Sequence, residues 1–352
     1  MKKNICGIQQ VGIGVKNAQE AWKWYRKVFG MDINVFEDTA TAKLMKHYTN
    51  GQECERYAAL AMNMEGGGGF EIWQHTQKAP KPPVFEEKLG DCGIFICKMK
   101  CHNVKKAFEG HREMGLTILG NLTEDPQGNL HYYLKDPYNN IFEVVEDPNF
   151  YMKQKSLTGG VAGVVIGVSN IEKAMKVYAD ILEYDQIVYF VSGQFQDFAA
   201  LPGGNEKYRR VLLKHNTSRT GPFSKLLGPT QIELVQPLER DPDKIFRDRI
   251  WGELGYIHLC FDLIGMDHLK TECEEKGFPF TVDSANSFDM GTTAGHFSYI
   301  SDQDGTPIEF VETHKLPVIE KLGWYMNLKG RNPKKSLPNW MVKTLQFNRI
   351  KD

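Results

Sequence analysis

Two stretches of this chain, 153 residues apart, are near copies of one another. Val11 to Asp32 reads VGIGVKNAQEAWKWYRKVFGMD and Val164 to Asp185 reads VVIGVSNIEKAMKVYADILEYD, with nine identities in 22 ungapped positions. A segment repeated at this length marks homologous supersecondary units that bury their apolar faces against one another. The chain therefore reads as two homologous halves. Function is to be sought where equivalent positions of the two halves differ.

Each copy opens as a strand and continues as a helix. Asn17 is placed to cap that helix, Glu20 stands at the capping-box position, and Gly30 stops it. Ala21, Trp24, Tyr25, Val28 and Phe29 fall at helical spacing. Strand-like segments follow near 33–36, 57–64 and 70–74. The same order of one strand, one helix and three strands reads again further on, giving units at about 5–78, 90–147, 160–240 and 253–314. The expected division is a domain over 1–148, a linker at 146–156, a second domain over 157–314 and an extension over 315–352.

Composition narrows the function classes. A length of 352 residues is long for one core and comfortable for two. A formal net charge of −1 gives no general attraction to nucleic acid or anionic membranes. No apolar run approaches a membrane span, and the opening residues lack a signal-peptide core, so a cytoplasmic protein is expected. Seven cysteines without a CxxC pair read as reduced core thiols. The run Gly66–Gly69 follows a strand but lacks the lysine of a phosphate loop. The extension carries nine Lys and Arg interleaved with apolar residues such as Leu328, Trp340, Val342 and Leu345. It reads as a strap packed across the domains or onto a second subunit in a homodimer, rather than as a nucleic-acid arm.

Four such units, opening on VGIGV with Asn17, Ala21 and Tyr25 behind it and closing on an acidic strand residue after the DPYNN turn at 136–140, resemble the vicinal oxygen chelate superfamily. That group includes glyoxalase I, methylmalonyl-CoA epimerase, fosfomycin and bleomycin resistance proteins and extradiol dioxygenases. The resemblance covers about residues 5–314. It implies an α+β fold in which four βαβββ units pair into two glyoxalase-like domains. It also implies metal ligands on the first and last strands of the units.

Carried over by position, the resemblance selects Gln10 and Glu71 in unit one, Cys92 and Glu143 in unit two, Gly163 and Glu233 in unit three, and His258 and Glu309 in unit four. Both Cys92–Glu143 and His258–Glu309 are separated by 51 residues. Period-two alternation sets each glutamate on the face opposite its apolar neighbours. A carboxylate turned inward must be paired, hydrogen-bonded or metal-bound.

The resemblance then implies a divalent metal (Zn, Fe, Mn, Ni or Co) on Glu233, His258 and Glu309, with Glu233 or Glu309 moving a proton and Tyr299 beside the metal. The first half, with Cys92 in place of a histidine, reads as a structural partner. A metal-dependent lyase or isomerase acting on a small oxygen-chelating substrate is the leading expectation. An extradiol-type dioxygenase, which Tyr299 resembles but Gly163 does not supply, and a non-catalytic small-molecule-binding protein are the alternatives. His215 and His296 read as strand-end residues or replacement ligands.

Overall fold

The computed structural model describes residues 2–285, 288–289, 294–319, 324–328 and 330–351. Unit one comprises β1 (Asn4–Gly14), α1 (Ala18–Phe29), β2 (Ile33–Thr41), β3 (Glu55–Met62) and β4 (Gly69–His75). Unit two comprises β5 (Gly93–Cys101), α2 (Val104–Glu113), β6 (Thr117–Glu124), β7 (Leu130–Lys135) and β8 (Ile141–Glu146). Unit three comprises β9 (Val161–Gly167), α3 (Ile171–Tyr178), β10 (Gln186–Gly193), β11 (Tyr208–Lys214), the short α4 (Ser224–Leu227) and β12 (Gln231–Pro237). Unit four comprises β13 (Gly255–Ile264), α5 (Met266–Glu275), β14 (Val282–Asp283), β15 (Phe288–Asp289), β16 (Ala294–Ser301) and β17 (Pro307–Ile319). The extension adds β18 (Trp324–Asn327) and α6 (Asn339–Lys343).

Local chemistry accounts for the helix ends. The Asn17 side chain accepts from the backbone N–H groups of Gln19 and Glu20, and Gly30 closes α1 at φ 62° in the left-handed region. Asn170 repeats the N-cap in α3 by accepting from Lys173 N.

The sheets pair in a way that the repeat alone does not dictate. One runs β14-β16-β17-β13-β1-β4-β3-β2 and joins unit four to unit one; the other runs β10-β11-β12-β9-β5-β8-β7-β6 and joins unit three to unit two. The expectation that unit one would pair with unit two within 1–148, and unit three with unit four within 157–314, is corrected here. Equivalent strands offer equivalent free edges, and a repeat cannot say which edge meets which. Edge packing decides it. Gly14 of β1 lies opposite Gly255 of β13, and Gly93 of β5 lies opposite Gly167 of β9. A Cβ on Gly14 would stand 1.9 Å from Glu253 O, and one on Gly167 1.9 Å from Asp91 O. The glycine shared by the two copies thus admits the neighbouring backbone.

Units one and two, and units three and four, do touch, but through helix and turn. In α1 the Tyr25 hydroxyl donates to Asp136 in the 136–140 turn of unit two at 2.7 Å, and the Phe29 ring lies 4.7 Å from Phe142 of β8. The equivalent Tyr178 hydroxyl donates to Asp302 in unit four at 2.8 Å. One continuous apolar cluster therefore draws on all four units.

In the extension, Leu328, Leu337 and Val342 pack with Ile33 and Met62 of unit one and Leu226 of unit three. It thus crosses both halves of the chain; its residues 320–323, 329 and 352 lie outside the described residues. All seven cysteines are buried and free. Among the described residues no helix is long and apolar enough to cross a membrane.

Candidate metal centre

The join between units one and four builds the site. Gly12 of β1 lies opposite His258 of β13, and a Cβ there would stand 2.5 Å from the imidazole. The missing side chain is the space that the histidine ring occupies. Glu71 of β4 flanks Gly12 on the other side, and Glu309 of β17 flanks Cys260, two residues beyond His258. Three adjacent strands and the parallel strand beyond them thereby aim their side chains at one point.

His258 Nε2 lies 3.1 Å from Glu71 Oε2 and 3.1 Å from Glu309 Oε2. It makes a well-aligned hydrogen bond to neither, although it is fully buried. One ligand atom from each of the three lies within 4.8 Å of the others. Gln10 of β1 donates from Nε2 to Glu309 at 3.4 Å and leaves its buried Oε1 without a partner. One imidazole, two carboxylates and an amide oxygen form a borderline donor set that fits Zn, Mn, Fe, Co or Ni. The orphaned nitrogen and amide oxygen are the groups that a cation would satisfy. Burial pulls the His258 pKa down, but Glu309 and Glu71 outweigh it and push it up to about 10. Without a metal the imidazole would thus hold a proton, which a cation binding at Nε2 would displace.

Aromatic rings fix the histidine. Trp251 stacks parallel to it at 6.0 Å, and Tyr299 meets it edge-on at 5.7 Å. Burial first, then Glu309 and Glu71, hold the Tyr299 phenol well above its ordinary pKa, so it stays protonated. Glu71, Glu309, Trp73, Trp251 and Tyr299 line a cavity of about 380 Å³ whose remaining walls are largely apolar.

The structure brings His258, Glu309 and Tyr299 together, but it does not bring Glu233 to them. Glu233 sits on β12 in the other sheet, because unit three pairs with unit two. There it accepts from Lys98 Nζ at 2.8 Å, Arg210 Nε at 2.6 Å and the Tyr189 hydroxyl at 2.8 Å. Lys98 also lies 2.8 Å from Glu143, and His131 Nδ1 lies 2.9 Å from that same carboxylate. Asp197 completes the buried cluster through Arg210 at 2.6 Å. An ammonium between two glutamates occupies this second cup.

Cys92 does not hold the position equivalent to His258 either. Lys98 is the partner of Glu143, and Cys260 is the partner of Glu309, so Ile96 is the counterpart of His258. The matched 51-residue spacings conceal strands and turns of different lengths. Of the other histidines, His296 pairs with Asp283 at 2.6 Å, and His215 Nε2 lies 3.1 Å from Leu182 O.

Sequence reasoning had Gln10 and Glu71 as positions but assigned them to a separate half. The available signal was that Gln, Glu, His and Glu form a complete four-ligand set once unit one is read with unit four.

Two models of the Glyoxalase/Bleomycin resistance protein/Dioxygenase superfamily match the chain, over residues 7–144 and 163–295. The chain belongs to this superfamily. Among solved structures, glyoxalase I from Zea mays superposes with a TM-score of 0.51 at 13% identity, over 88% of this chain and 92% of that one. A Bacillus subtilis protein with a provisional dioxygenase assignment superposes with a TM-score of 0.55 at 13% identity, over 89% and 86% of the two chains. At such identity the likeness is one of fold. No curated protein is a significant sequence match.

Proposed function

We propose that the cup shared by units one and four is a divalent-metal centre, and that the protein is a lyase or isomerase moving a proton on a small oxygen-chelating substrate. The observation that carries this reading is the convergence of Glu71, His258 and Glu309, with Gln10 beside them. A divalent cation held there would supply Lewis acidity toward adjacent substrate oxygens.

The chain's own residues do the rest. His258, wedged between Trp251 and Tyr299, keeps its Nε2 aimed at the gap between the carboxylates. Glu71 and Glu309 both border the cavity, so either can take a proton from the carbon beside a carbonyl and return it to a neighbouring atom. Tyr299, protonated and next to Glu309, donates a hydrogen bond to the carboxylate or to a substrate oxygen. The apolar walls keep bulk water from competing for the transferred proton.

The donor set favours this over the extradiol dioxygenase reading. One imidazole with Gln10, Glu71 and Glu309 lacks the second histidine of a 2-His-1-carboxylate iron site. It also favours an enzyme over a pure binding module, since all four positions carry groups able to ligate.

Elemental analysis of protein purified without chelator tests the centre. Wild type and Glu233→Ala are expected to carry about one equivalent of metal, and Glu71→Ala and His258→Ala to carry none. Metal lost in Glu233→Ala but kept in Glu71→Ala would refute it. The chemistry is tested by metal-dependent exchange of the α-proton of hydroxyketones and hemithioacetals in heavy water. Oxygen uptake with catechols and no such exchange would favour the dioxygenase.

A further inference from the structure

The cavity continues past the ligands along β13. Alternate side chains of a strand share a face, so His258, Cys260 and Asp262 point the same way. The strand rise sets the Asp262 Cα roughly 13 Å from that of His258. Asp262 is 2% exposed and lines the same cavity as Glu71 and Glu309. The Cys6 and Gln9 side chains lie against its carboxyl group. Its Oδ2 is buried and has no hydrogen-bond partner among the described residues. Burial, with Glu312 adding like charge, pushes its pKa up to about 7. A buried, orphaned carboxyl oxygen is costly until a donor reaches it. Asp262 is not one of the residues whose ligand atoms converge with those of His258, yet it opens onto the same space. The wall beside it is apolar: Val311 lies opposite it on β17, and Leu226 and Leu227 also line the cavity.

We propose that Asp262 is the distal recognition group of this cavity, accepting a hydrogen bond from an amine or hydroxyl on the far end of the substrate. The substrate class is then an oxygen-chelating head, an apolar spacer and a hydrogen-bond-donating tail. This rests on the metal-centre reading above, which supplies the anchor for the head. An amine tail is the stronger ligand, because its ammonium charge would favour the Asp262 carboxylate, whose proton leaves to solvent, and form a charge-assisted bond.

Octanohydroxamic acid is a bidentate oxygen chelator with an apolar chain, and its ω-hydroxy and ω-amino derivatives add a donor at the far end. Calorimetric titration of the metal-loaded, full-length protein with the three compounds is the test. The ω-amino compound is expected to bind about tenfold tighter than the methyl-terminated one or better, with the ω-hydroxy compound between them. In Asp262→Asn that ratio should collapse toward one. Metal-dependent binding of all three with no preference for a donor tail, or a preference that survives in Asp262→Asn, overturns the assignment of Asp262 alone. Absence of metal-dependent binding by octanohydroxamic acid overturns the metal-centre reading and this inference with it. Should Asp262→Asn fail to fold, Asp262→Ser takes its place, and absence of any donor-tail preference in the wild type overturns the assignment by itself.

Discussion

Glu71 and Glu233 hold equivalent places in their units, and each lies near a second glutamate, but the groups set against them differ. Glu71 and Glu309 face an imidazole and an amide. Glu233 and Glu143 face the Lys98 ammonium, whose pKa they raise against the opposing effect of burial. Both cups answer like-charge repulsion with a central cation, one built into the chain and one, on the reading proposed above, taken from solution. Removing the shared cation leaves Glu233 to Arg210 and Glu143 to His131 alone, so Lys98→Met should cost about 3–5 kcal/mol in urea unfolding. It should leave metal content unchanged, because the two cups share no ligand. The four glutamates were legible in the sequence, since each follows a turn signal and sits in an alternating strand. Their grouping was not. Glu71 and His258 meet only because β1 and β13 share an edge, and nothing local to either residue encodes that edge. Lys98 was missed for a similar reason: the 51-residue match sets Cys92 against Glu143, whereas the strands pair Lys98 with it.

At the scale of elements, the repeated glycines and tyrosines divide the work of assembly. Gly14 and Gly167 admit a foreign strand, while Tyr25 and Tyr178 tie a helix to the turn of the next unit. Gly14→Ala would drive a methyl into the Glu253 carbonyl and part β1 from β13. A loss of roughly 1–3 kcal/mol or more is expected on chemical denaturation, together with weakened metal retention. The sequence revealed these positions as repeated but not what they touch, because each contact reaches into another unit. The α2 helix carries a pH effect. His111 is fully buried, its Nδ1 lies 2.7 Å from the Tyr132 hydroxyl, and burial lowers its pKa to about 4. A histidine depressed below its unfolded value of about 6.5 stabilises the fold above that value and loses the contribution as pH falls toward about 4. Between pH ~7.5 and ~5 the wild type should therefore lose about 2 kcal/mol more than His111→Gln, as read from urea midpoints at the two pH values. His75 and His215 are depressed in the same direction, so the total acid sensitivity should exceed this one residue's share.

For the whole molecule, cross-pairing makes each sheet depend on both halves of the chain. A break placed in the 149–157 segment would leave every cup with half its strands. Each fragment expressed alone is expected to bind no metal, and co-expression is expected to restore one equivalent per pair, as read by elemental analysis after size-exclusion chromatography. The α+β class and four-unit count could be read from periodicity and repetition, which are local properties. The partnering of units could not, because it depends on contacts between residues far apart in the chain, such as Gly12 with His258. That distance has a meaning on the ribosome. About 180 residues separate the end of β4 from the start of β13. At roughly 5–20 residues per second, unit one waits on the order of 10–40 s for its sheet partner to be synthesised. Units two and three meet first, so the lysine-filled cup can close while the other still lacks β13. A nascent chain that stalls before β17 has no Glu309 to offer, so on the metal reading proposed above, capture of the ion would report that translation has passed that strand.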